Sequence, residues 1–158
     1  MKKRNKKIKK VSVWEKYLAQ EIGIEFKACL YFFAILFFYC MYRICNGKWE
    51  ASIVIMTEMI FTAYAMGYLQ VYVLENFDEA DALGGKELFG MVLCTALYTI
   101  VSYAGKWFDR NLYLTAGFLG YIAFTYVCAF WIYKIKRDID TRLLNEDLQA
   151  FKEREEWE

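Results

Sequence analysis

The chain is predicted to be an all-α, polytopic membrane protein with four transmembrane helices. Long apolar runs alternate with short charged loops, proline is absent, and the charges are segregated. Apolar residues make up 58% of the 158 residues and aromatics 20%, above the 45–50% apolar share usual for soluble domains. Mean hydropathy is +0.17 although charged residues make up 25% of the chain. Both hold together because the charges cluster at residues 1–27, 75–87 and 134–158, outside the apolar runs.

Residues 1–27 form a first unit. Lys2, Lys3, Arg4, Lys6, Lys7, Lys9 and Lys10 make a basic block that retains the N-terminus in the cytoplasm and attracts anionic lipid headgroups, at about 1 kcal/mol per basic residue near the surface. After it, Trp14, Leu18 and Ile22 recur on one face, the pattern of an amphipathic helix lying in the interface before the first span. No small-residue cleavage site follows the first apolar run, which argues against a removable signal peptide.

Residues 28–133 hold the bundle. The spans are Ala28–Cys45, Ala51–Leu74, Leu88–Gly105 and Leu112–Tyr133, each near the length of about 20 apolar residues that crosses a bilayer. Continuous apolar runs exclude the alternation of a membrane barrel. Lys27 and Arg43 lie near the ends of the first span, where long basic side chains snorkel to the interface. Basic residues concentrate in the N-terminal segment and in the tail, at Lys134, Lys136, Arg137 and Arg142, so both termini are expected in the cytoplasm. The acidic loop NFDEADALGGKE then lies inside as a turn or docking surface, and it lacks EF-hand ligand spacing.

Residues 134–158 change character. Ile135, Ile139, Leu144, Leu148 and Phe151 recur at close to helical spacing among charges, so the fourth span is expected to continue as a cytoplasmic amphipathic helix. Its apolar residues need cover outside the membrane, from the N-terminal helix, a second copy or a partner protein. They are the candidate partner-binding residues.

Glu58 is the sharpest chemical signal. It sits in the second span, where an ionised carboxylate is costly unless it is paired or wet. Arg43 and Lys106 lie at compatible depth, and Thr62 is one turn on, so Glu58, Arg43, Lys106 and Thr62 form the candidate intramembrane polar site. An ion pair ordering the outer end, a ligand, ion or proton site, and a carboxylate reaching interfacial water remain open. Thr95, Tyr98, Thr99 and Ser102 on the third span, and Thr115, Tyr121 and Thr125 on the fourth, read as packing hydroxyls. Ala63 with Gly67, and Ala116 with Gly120, are spaced for close helix contact. Tyr39, Tyr42, Trp49, Trp107, Phe108, Trp131 and Tyr133 read as interfacial aromatics.

Several functions find no support. Histidine is absent, which removes the commonest general base and metal ligand. The five cysteines form no CxxC pair. No phosphate-cradling loop or nucleophile elbow is present. No cofactor, metal or catalytic residue is therefore expected, and a net charge of +1 gives no argument for a nucleic-acid partner.

The tail carries a resemblance. Asn145-Glu146-Asp147-Leu148, followed by Phe151-Lys152, resembles the Asn-Glu-x-Leu-x-x-aromatic-Lys helix that closes small four-helix bacterial membrane proteins of unknown function, often encoded beside LytTR-type transcription regulators. Length and span order are similar too. The resemblance implies a non-enzymatic regulator or accessory subunit in the bacterial cell membrane, bound to a protein partner or to itself. The alternative from the residues alone is a small transporter or channel subunit using Glu58.

Overall fold

In the computed structural model, residues 12–156 are described, and they are helical apart from their connections. The basic block at residues 2–10 lies outside the described residues. Helix α1 spans Val13–Cys45, α2 Ile53–Tyr68, α3 Gly85–Ala104 and α4 Leu112–Glu156. A π turn, Leu69–Val73, extends α2, and a short 3₁₀ turn, Phe77–Glu79, follows it. All four helices are long and apolar enough to cross a membrane. Large apolar side chains such as Phe33, Phe61, Ile100 and Phe124 point out of the bundle, as lipid-facing groups do.

No break separates an interfacial helix from the first span. The expected boundary near residue 27 falls inside α1, which starts at a capping box: the Ser12 hydroxyl accepts from Trp14, and Glu15 accepts from the Ser12 amide at 2.7 Å. Its 33 residues reach about 50 Å. Nothing between Ser12 and Asn46 can stop it, since proline is absent and Gly23 costs a helix only about 1 kcal/mol. Trp14, Leu18 and Ile22 are exposed on this extension.

The helices run antiparallel in chain order. One end of the bundle, here the proximal end, gathers the start of α1, the α2–α3 connection and the emerging end of α4. The distal end holds the α1–α2 and α3–α4 connections. The most extensive packing is within two hairpins, α1 on α2 and α3 on α4, while α2 and α3 barely touch. On the α1–α2 seam, a Cβ on Gly67 would stand 3.4 Å from the Ile24 side chain, so Ala63 and Gly67 do mark a close crossing. The second small pair does not: Ala116 and Gly120 lie exposed on α4, with nothing within 4 Å of a Cβ on Gly120.

The core is aromatic. Tyr31 stacks obliquely on Tyr126 with ring centres 4.7 Å apart, and Phe38, Phe108 and Phe118 form a second cluster. The Tyr121 hydroxyl donates across helices to the Ala34 carbonyl at 3.1 Å. Thr95, Thr99, Ser102, Thr115 and Thr125 bond back to carbonyls of their own helical segment, as packing hydroxyls do.

Candidate functional site

Three places in the fold hold polar groups or apolar surface that packing alone leaves unexplained. The first is at the proximal end. The chain leaves α2 through the π turn, passes Glu75 and Asn76 in left-handed conformations, and folds back so that Phe77 and Asp78 are buried in the bundle. Lys27 does not snorkel. It is 1% exposed, and its ammonium donates to Asn76 Oδ1 and to Asp78 Oδ1 at 2.6 Å, with Glu79 Oε1 at 3.0 Å. An ammonium has three donors, and here each faces one acceptor. The Tyr133 ring lies 5.2 Å from the same nitrogen, and Tyr31 donates to Asp78 Oδ2 at 3.4 Å. Asp78 is thus no part of an exposed acidic surface. Arg137 of α4 ties the same loop down, donating to the carbonyls of Glu79 and Ala80 and pairing with Asp81 at 3.1 Å. Deeper in the bundle, the Gln70 amide and the Tyr98 and Tyr126 hydroxyls are buried without a hydrogen-bond partner among the described residues.

The second place is distal and contains Glu58. Its carboxylate is exposed on α2, and its hydrogen-bond donor is Trp107, whose Nε1 lies 3.1 Å from Oε2. The expected partners are engaged elsewhere or turned away. Arg43 donates through Nε and Nη2 to the Glu50 carbonyl, at 2.9 and 2.7 Å. Lys106 sits exposed in a left-handed turn and forms no ion pair among the described residues. Thr62 bonds back to the Glu58 carbonyl at 2.7 Å rather than to the carboxylate. The α3–α4 turn explains the exchange. Left-handed Lys106, Asp109 and Arg110 roll the chain inward, so Trp107 and Phe108 are each 1% exposed and belong to the core, as do Tyr39 and Tyr42. Trp49 and Trp131 stay outside, as interfacial aromatics should.

Glu58 looks into a groove of about 630 Å³ left where α2 and α3 part. Val54 and Phe61 form one wall, Ile100 and Val101 the other, and Gly105 closes the distal end. Gly105 is tightly enclosed: a Cβ there would lie 2.6 Å from Glu58 Oε2 and 2.7 Å from Trp107 Nε1, so one of the two would have to move.

Beside this groove the distal end carries an exposed network. Tyr42 donates to Asp109 Oδ2 at 2.8 Å and Lys48 lies 3.3 Å from the same oxygen. These two donors hold the Asp109 carboxyl below the usual carboxylate range.

The third place is the tail. Helix α4 has 45 residues, about 67 Å, more than twice the hydrocarbon thickness of about 30 Å. Ile135, Ile139, Leu144, Leu148 and Phe151 are all about half exposed or more, and neither α1 nor the loop covers them. They do not make one stripe. At about 100° per residue, Ile135 and Ile139 lie together, while Leu144, Leu148 and Phe151 lie about 170° round the helix. That second face is the one carrying Tyr126, Tyr133 and Arg137, so α4 prolongs its core-facing side past the end of the bundle.

Among the described residues no three Cys, Asp or Glu side chains converge in a way that would hold a metal ion. No protein-family model, curated protein or solved structure matches the chain.

Proposed function

We propose that the chain is a non-enzymatic integral membrane regulator or accessory subunit, with both termini in the cytoplasm, that holds a protein partner on its helical tail. The observation that carries this reading is the α4 face at Leu144, Leu148 and Phe151: a core-type face, in register with the bundle, that no described residue covers. An apolar helix face in water is stabilised when another helix or groove covers it. The basic residues flanking the spans support the cytoplasmic side, and the segment at residues 2–10 adds attraction for anionic lipids. The resemblance to proteins encoded beside LytTR-type regulators suggests the partner class, a transcription regulator restrained at the membrane. Arg137 links the tail to the loop that carries Asp78, so a change in bundle packing would reach the docking face.

The test is co-purification of a soluble regulator with full-length protein, with the chain lacking 138–158, and with a Leu148→Glu, Phe151→Glu double variant. Stoichiometric capture by the full chain and loss in both variants supports the reading. Equal capture by all three sinks it, and a homo-oligomer that dissociates in the double variant would assign the face to a second copy.

A second reading rests on Glu58. Its position on the open α2–α3 groove favours a small transporter or channel subunit that uses this carboxylate. Substrate-dependent flux lost in a folded Glu58→Gln variant would support it, and flux that survives the change would reject it.

A further inference from the structure

We infer that the α2–α3 groove is a binding site for a single-chain amphiphilic amine, with its ammonium on Glu58 and its alkyl chain along Phe61, Ile100 and Val101. This site is separate from the tail and does not depend on what the tail holds.

The chemistry follows from what the carboxylate lacks. A carboxylate accepts hydrogen bonds through both oxygens. Glu58 receives one neutral donor, the Trp107 indole on Oε2, and no cation among the described residues neutralises it. The nearest candidates in depth, Arg43 and Lys106, are bonded to a backbone carbonyl and turned outward. A charge at the edge of a low-dielectric medium is stabilised by an opposite charge far more than in water. The ligand's head is therefore cationic.

The shape defines the rest. Glu58 stands five residues past Ile53, about 7–8 Å along α2 from its distal end and inside the span. The groove flanks Glu58, with Ile53 and Val54 on its distal side and Phe61, Ile100 and Val101 on its inward side. Its volume, about 630 Å³, is within the range of about 300–1,000 Å³ typical of small-molecule sites. A head held on Glu58 in the distal leaflet with the tail directed toward mid-bilayer is an orientation open to an amphiphile. The groove lies where α2 and α3 make little contact, and Gly105 lets Glu58 and Trp107 meet at its end without filling it.

The test uses full-length protein in phosphatidylcholine nanodiscs titrated with dodecylammonium at neutral pH. Calorimetry is corrected against empty nanodiscs, and dodecanol serves as the neutral control. Saturable binding of the amine and none of the alcohol is expected. Glu58→Gln should weaken it at least tenfold. Ala104 also lines the groove, so Ala104→Phe, which keeps the carboxylate and fills the groove beside it, should weaken it comparably, and this arm decides the matter if Glu58→Gln does not fold. Equal binding of dodecanol, or wild-type affinity in either folded variant, overturns the inference. Loss of amine binding in phosphatidylethanolamine nanodiscs would overturn the free amine in favour of a resident lipid ammonium.

Discussion

Lys27 of α1 and Asp78 of the α2–α3 connection meet 2.6 Å apart with both side chains shut away, 2% and 0% exposed. Residues this polar are rarely buried unless paired. The pair is the point where the first helix, the re-entrant loop and, through Tyr133 and Arg137, the last helix become one unit.

Removing one partner is predicted to be worse than removing both. Lys27→Met leaves Asp78 buried without its cation, and a broken buried pair costs about 3–5 kcal/mol. Lys27→Met with Asp78→Leu removes both charges and should recover most of that loss. Unfolding of the single and double variants in mild detergent measures the coupling. Equal destabilisation of Lys27→Met and the double variant would show that the pair does not act as a unit.

Gly90 is the seat of Phe77. A Cβ at Gly90 would stand 2.7 Å from Phe77 Cδ1, while the other side of the ring faces Tyr126 at 5.4 Å. Two effects oppose each other in Gly90→Ala. Helix propensity favours alanine by about 1 kcal/mol, and overpacking costs about 1–3 kcal/mol. The clash is with the rigid base of a buried ring, so net destabilisation is expected. Gly120→Ala, on an exposed helix face with open space around it, should stabilise instead. A Gly90→Ala protein that melts above wild type would contradict the packing of Phe77.

The spans were legible in the chain because hydropathy over a helix length is a local signal, and so was the helical continuation past Tyr133. The partners were not. Lys27 reads as a snorkelling lysine at a span end, although it repeats with Ile24, Ala28, Tyr31 and Ile35 on the face that becomes the core. What turns it inward is Asp78, a contact far away in sequence that depends on the π turn and on left-handed Glu75 and Asn76. Trp107 reads as an interfacial anchor for the same reason: its burial is decided by the left-handed turn that follows α3. The adjacent Gly105 was the available sign of a close approach. In the tail, Leu143 carries the four-residue spacing on from Ile139, but Leu144, Leu148 and Phe151 fall nearly opposite Ile135 and Ile139, a split already present in the spacing.

Gly105→Ala tests the distal arrangement. The new methyl would occupy the space between Glu58 Oε2 and Trp107 Nε1, so the indole loses its acceptor. An unpaired buried donor costs about 1–3 kcal/mol. Glu58→Gln keeps an oxygen for the indole and should cost less. Thermal melting orders the two variants, and indole fluorescence should report a changed Trp107 environment in Gly105→Ala only. The reverse order would mean that the charge of Glu58 matters more to the fold than its bond to Trp107.

Acid should weaken the distal end through Asp109. Tyr42 and Lys48 donate to its carboxylate and lower its pKa in the folded state. In the unfolded chain an aspartate titrates near 3.9. The sign follows from linkage: a depressed carboxyl contributes stability that is fully present above the unfolded value, because only the unfolded chain takes up the proton first as pH falls. That contribution is therefore complete at neutral pH, begins to fade near pH 4, and is gone once pH passes below the folded value. The group is exposed, so solvent screening keeps the effect small. Melting curves of wild type and Asp109→Asn between pH 7 and pH 3 measure it by difference. The gap between the two proteins should be constant down to about pH 4 and shrink below it. A gap that widens with acid would mean that the Tyr42 and Lys48 contacts do not favour the ionised form.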